Sequence, residues 1–132
     1  MTERQVVPAR SPYAPTVGYS RAVRVGPHVY VAGTAAVMRD GEPPPPDAYA
    51  QARRCLEIIL GALEEVGATA ADVVRTRVYI TSDEHWEAVG RAHGEVFGDV
   101  LPASAMIVVT GFLDPRFLVE IEADAFVHGG NG

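Results

Sequence analysis

The stretch LVEIEADAFV, residues 118–127, decides the fold. Val119, Ile121, Ala123 and Ala125 alternate with Glu120, Glu122 and Asp124, the period-two pattern of a strand with one apolar and one charged face. A second stretch, VVRTRVYI at 73–80, repeats the pattern with the opposite charge. Its alternation predicts Val74, Thr76, Val78 and Ile80 on one face and Arg75, Arg77 and Tyr79 on the other.

Around these two strands the spacing of apolar residues changes. Ala48, Ala52, Cys55, Leu56, Ile59, Leu63 and Val66 recur at helical intervals and predict a helix over 47–66. Asp47 can cap its start, and Gly67 stands where a left-handed C-terminal residue belongs. Gly61 inside it is tolerated at a cost of about 1 kcal/mol. A second helix is expected from Ser82 or Asp83 to Phe97, with Trp86, Val89, His93, Val96 and Phe97 as its stripe. Pro102 introduces a strand over 105–109. Upstream, 22–25 and 29–32 flank Gly26-Pro27-His28 and predict a hairpin. Asp40-Gly41 marks a turn, and Pro43 to Pro46 stiffen the entry to the first helix.

The expected division is an extended arm over 1–20, a single α+β domain over 21–127 and a frayed Gly-rich tail over 128–132. Pro8, Pro12 and Pro15 would hold the arm by their fixed dihedrals rather than by regular structure. The order is ββ-α-β-α-ββ. Two amphipathic helices cover one face of such a sheet, so the other stays bare. That bare face carries Arg75, Arg77, Tyr79, Glu120, Glu122 and Asp124, a mixture that points to subunit association.

Composition narrows the function. A chain of 132 residues fits one domain and leaves no room for a separate cofactor domain. Its net charge, 11 − 17 = −6, and pI near 5.1 argue against nucleic acid as a partner. Cys55 is alone, which excludes an intrachain disulfide and Cys-rich metal sites and is compatible with a reducing cytoplasm. The first residues, MTERQ, lack the apolar core of a signal peptide, and no apolar run is long enough to span a membrane. P-loop, GxGxxG, HExxH and GxSxG motifs are all missing. His28, His85, His93 and His128 are dispersed, so neither a metal nor an organic cofactor is expected.

Several residues have two readings. His93 is either a packed histidine or a proton-moving group that reaches a pocket at a subunit boundary. Glu120 is either an ion-pair partner for Arg75 or Arg77, or a carboxylate that positions water. Arg77 either pairs with Glu122 or Asp124 or grips a ligand carboxylate. Tyr19 either anchors the arm or lends its hydroxyl to a pocket.

Six segments in order, Gly18-Tyr19-Ser20-Arg21-Ala22-Val23, Val31-Ala32-Gly33-Thr34, Gln51-Ala52-Arg53, Asp72-Val73-Val74, Pro102-Ala103 and Val119-Glu120-Ile121-Glu122-Ala123, resemble the RidA/YjgF family. The resemblance spans about residues 12–127. It implies a chorismate-mutase-like α+β fold: one mixed sheet with two helices on one face. It also implies a homotrimer whose sheets form an inner barrel with three pockets between subunits. In the well-known branch the activity is hydrolysis of enamines and imines derived from amino acids. The family's Tyr and Glu match Tyr19 and Glu120. Its substrate-binding Arg, in Pro-Ala-Arg, is Ser104 here, and its Cys two residues on is Met106. The Ser and Gln of its Ser-Gly-Gln strand end are Ala32 and Thr34, and its helical Asn is Gly90. A serine cannot hold a carboxylate bidentately, and losing such a contact in a buried pocket costs roughly 2–5 kcal/mol.

The resulting expectation is a cytoplasmic, cofactor-independent hydrolase of deaminase type, with a small, non-standard enamine or imine in inter-subunit pockets. Glu120 and His93 would be catalytic, and Tyr19, Thr34, Arg77, Ser104 and Met106 would bind substrate. The alternative is a non-catalytic homotrimer of the same family that binds a small molecule.

Overall fold

Asp47 starts the longest helix by accepting the Ala50 N–H at 2.9 Å, a cap worth about 1 kcal/mol. The structure, a computed structural model, describes residues 3–128. Its elements run β1 (Arg4–Pro8), α1 (Ala14–Val17), β2 (Ser20–Val25), β3 (His28–Thr34), α2 (Ala48–Glu65), β4 (Val73–Ile80), α3 (Trp86–Phe97), β5 (Ala103–Val108) and β6 (Val119–Phe126). The tail expected to fray lies, from 129 on, outside the described residues.

The strands form one mixed sheet in the order β1-β2-β3-β6-β4-β5. All neighbours are antiparallel except β4 and β5, which α3 joins as parallel strands. The decisive strand therefore sits in the middle, with β6 between β3 and β4. Its apolar residues are buried under α2 and α3, and Glu120, Glu122 and Asp124 emerge on the bare face. The core is Leu56, Ile59 and Leu63 of α2, Val89 and Phe97 of α3, and Val78, Ile80, Val119 and Ile121 of the sheet. α2 ends as its spacing predicts. Gly67 adopts φ +80°, and the Arg24 guanidinium donates to the Val66 carbonyl at 2.6 Å, a cation at the helix's negative end.

Four expectations need correction. The arm carries regular structure: β1 pairs with β2, adding an edge strand, and residues 14–17 form one helical turn. Extended proline-rich backbone still has free N–H groups, and those in β1 found a partner. Val74 is 49% exposed, because a register shift between Val73 and Arg75 puts Val73 in the core instead. Trp86 is 60% exposed at the first position of α3, and the buried stripe is Val89, Ala92 and Phe97. Finally, β5 lies at 103–108, two residues earlier at its start than Pro102 and the apolar run alone implied.

Candidate functional site

Ion pairing on the bare face follows register. Arg77 lies opposite Glu122 on β6 and reaches Glu122 at 3.5 Å and Asp124 at 3.4 Å. The Tyr79 hydroxyl donates to Glu122 at 3.2 Å. Within one chain Arg77 thus pairs with acids of its own sheet. Arg75 faces Asp124 in register, yet among the described residues the ion pairs of this face belong to Arg77.

Glu120 is left outside that network. It faces Tyr79 across the strands, and its carboxylate folds toward Gly33. A Cβ at Gly33 would lie 2.8 Å from Glu120 Oε1, so the glycine makes the seat for the carboxylate. β3 is irregular there, with its register against β6 shifting between Val31 and Thr34. Arg21 clasps the irregular segment. One guanidinium nitrogen donates to the Gly33 carbonyl at 2.7 Å and to Thr34 Oγ1 at 3.0 Å, and the guanidinium lies 5.7 Å from the Tyr19 ring centroid. Burial pushes the Glu120 carboxyl above its ordinary range, the Arg21 charge opposes that rise, and Glu122 adds to it. Tyr19, Arg21, Gly33, Thr34 and Glu120 therefore form one cluster. Thr34 itself is buried, spending its proton on the Ala32 carbonyl at 2.7 Å. With Arg21 it holds the irregular end of β3 and borders the cavity between β1 and α2.

A second cluster sits at the other edge of the sheet. Ser104 pairs with Thr76 in the parallel register of β5 and β4. Thr76 Oγ1 donates to Ser104 Oγ at 2.8 Å and lies 2.8 Å from His93 Nε2. Thr76 is fully buried, His93 half-buried and Ser104 exposed. Burial pulls the His93 imidazole below its ordinary range, so it is mainly neutral at pH 7. Its ring also packs on Phe97, with centroids 4.8 Å apart. Met106 follows on the same strand, opposite Val78, and is partly exposed.

The two clusters leave opposite faces of the sheet. Glu120 shares its face with Tyr79, whereas Ser104 shares the helix-covered side with Thr76 and Val78. One chain by itself does not bring Glu120 and Ser104 together. A cavity of about 580 Å³ opens between β1, residues 35–40 and α2, lined by Arg10, Arg21, Thr34, Arg54 and Ile58 among others. Its lining does not include Glu120, His93 or Ser104. Among the described residues no group of three or more His, Cys, Asp or Glu is placed to hold a metal ion. Among the described residues no helix is long and apolar enough to cross a membrane.

Sequence reading missed Arg21, Gly33 and Thr76. Thr76 carried the clearest signal, a hydroxyl on the apolar side of a central strand, which must find a partner when buried. Gly33 leads to a direct test. In Gly33→Ala the new methyl meets the far end of a flexible side chain, so the fold should survive while the carboxylate moves. Carboxyl NMR is expected to show an altered Glu120 titration with little change in melting temperature. An unaltered titration would refute the contact.

Comparison with known proteins places the chain among relatives of similar length. A family model described as Endoribonuclease L-PSP matches residues 9–127. The chain is 38% identical over 120 residues to an uncharacterized protein of Streptomyces coelicolor, covering 91% of this chain and 90% of that one. It is 34% identical over 109 residues to a RutC family protein of Pyrococcus abyssi, covering 82% and 85%. The crystal structure of a member of the YjgF/YER057c/UK114 family from Mycobacterium tuberculosis superposes with a TM-score of 0.86 at 46% identity, over 95% of this chain and all of that one.

Proposed function

Since the chain belongs to the RidA/YjgF family, the family of the Endoribonuclease L-PSP model, we propose that it hydrolyses a small enamine or imine in pockets shared between the subunits of a homotrimer. The observation that carries this reading is the seat of Glu120: a half-buried carboxylate of raised pKa, outside the ion-pair network of its own face. Such a group holds and surrenders a proton closer to neutrality than an ordinary glutamate. It can orient a water, take its proton as the water attacks the C=N carbon and pass it to the nitrogen, then carry the proton of the new hydroxyl to the amine as the C–N bond breaks, leaving a carbonyl and ammonia.

The shared pocket is supported by what a lone chain leaves open. β5 is exposed along its whole length, including Met106, Ile107 and Val108, and an uncovered apolar edge strand invites pairing. A neighbouring copy would also let Ser104 of one subunit approach Glu120 of another, which one sheet keeps on opposite faces. RNA cleavage, which the family model's description would suggest, fits less well. It calls for a basic track, and here Arg77 is neutralised by Glu122 and Asp124 in a chain of net charge −6.

The substrate is one that does not depend on an arginine at position 104. Ammonia release from imines generated in situ tests this. The wild type is expected to turn over an imine without a carboxylate. Ser104→Arg should shift preference toward the carboxylate-bearing analogue by at least about tenfold, the size of one gained ion pair in a desolvated site. A wild type inert toward both, with a ligand that raises the melting temperature but is never consumed, would replace catalysis by metabolite binding. A monomer by sedimentation would remove the shared pocket.

A further inference from the structure

His93, Thr76 and Ser104 are separated by 17 and 28 residues in sequence yet lie in one hydrogen-bonded line, with both spacings 2.8 Å. A hydroxyl has one proton and two lone pairs. Thr76 gives its proton to Ser104, so it can take one from His93 Nε2–H. No water competes at Thr76, which is fully buried. Ser104 keeps its own proton, and its side chain is exposed on the open edge strand. The line thus runs from a half-buried imidazole to a hydroxyl at the surface.

We propose that His93, Thr76 and Ser104 form a proton relay whose outer end, the Ser104 hydroxyl, is a second acid–base group of the ligand site and engages a neutral imine or amide group rather than a carboxylate. The ligand class rests on the deaminase-type reading above; the wiring does not. In the donating direction the Ser104 O–H bond breaks as its proton goes to the lone pair of the ligand nitrogen. The Thr76 proton passes to Ser104 Oγ, and the Nε2 proton of the His93 imidazolium passes to Thr76. The N–H electron pair stays on Nε2, leaving a neutral imidazole with its proton on Nδ1. One proton and one positive charge have moved from His93 to the ligand, and the reverse sequence restores the start. Giving a proton starts from the imidazolium; with the two hydroxyls rotated, the neutral imidazole protonated on Nδ1, the charge state that burial favours, accepts one at Nε2. A carboxylate would receive only a single hydrogen bond from a neutral serine, with no opposite charge. Thr76 and His93 act through Ser104 and are positioning residues; Ser104 is the group that touches the ligand.

The test uses the full chain labelled with 15N-histidine, read by long-range N–H correlation NMR, with benzamide and benzoate as isosteric probes. Thr76→Val is expected to shift the His93 Nε2 signal, and Thr76→Ser to restore it. Benzamide should move that signal in the wild type and in Thr76→Ser, but not in Thr76→Val or Ser104→Ala. It should saturate at a roughly tenfold lower concentration than benzoate. The proposal is overturned by an Nε2 signal identical in wild type and Thr76→Val, by a benzamide response that survives Thr76→Val, by no benzamide response in the wild type, or by a preference for benzoate. If Thr76→Val does not fold, Ser104→Ala, at the exposed end, supplies the same comparison. Positive NMR results without ammonia release would leave the relay standing and remove only the hydrolytic reading.

Discussion

Glu120→Gln is expected to abolish turnover and at the same time make the protein more heat-stable at neutral pH. The loss of activity should be about 10²–10⁴-fold, the usual contribution of a positioned acid–base group. The gain in stability follows from the direction of the pKa shift. Burial raises the folded-state value above the ordinary 4.5, so the folded protein holds this proton where the unfolded chain has released it. The carboxyl's contribution to stability is complete below 4.5, falls as pH rises through the folded value, and leaves a standing penalty above it. Glutamine carries no charge to desolvate and escapes that penalty. Thermal melts should therefore show the variant above wild type at neutral pH, with the difference closing below pH 4.5. A variant less stable than wild type at neutral pH would mean that Glu120 is held by favourable contacts, and the picture of a carboxylate kept poised at a cost would fail.

Gln51→Leu is expected to cost about 3 kcal/mol or more, measured by urea unfolding. Gln51 points from α2 into the core, and its side chain is fully buried. Its Nε2 donates to the Pro45 carbonyl at 2.8 Å and the Arg116 carbonyl at 3.0 Å, and its Oε1 accepts the Leu118 N–H at 2.8 Å. One amide thus ties the proline segment to the chain entering β6. Leucine fills a similar volume but leaves two carbonyls and one N–H without their partner, at about 1–3 kcal/mol for each that stays buried. Leu118 is two residues from Glu120, so the loosened strand entry should lower activity as well. A loss below about 1 kcal/mol would mean that water replaces the amide.

The length of α2, its Asp47 cap and its Gly67 stop are local matters, and the amino-acid order shows all three. So are the buried and bare faces of β6, because strand side chains alternate whatever the neighbours are. Tyr19 and Glu120 were legible as a pair only through the ordered family segments; nothing in their spacing joins them. Val74 and Trp86 were misread because one register shift and the first position of a helix each turn an apolar residue outward. β1 was missed because prolines mark what a segment cannot do internally, not which neighbour it will pair with. Gln51 sat inside a quoted family segment, yet its task depends on carbonyls 6 and 65 residues away.

The expected fold class, one mixed sheet with two helices on one face, was set by the sequence through periodicity and family resemblance, and the strand pairing agrees with it. So was the single acidic chain of net charge −6 whose central strands carry opposite charges. Tertiary structure alone decided which charges meet. It spent Arg77 on Glu122 and Asp124, placed Arg21 and Gly33 around Glu120, and lined up His93, Thr76 and Ser104. The reason is physical. Periodicity specifies which face a side chain takes, but contact requires strand register and sheet order, and these are set by the packing of the whole domain.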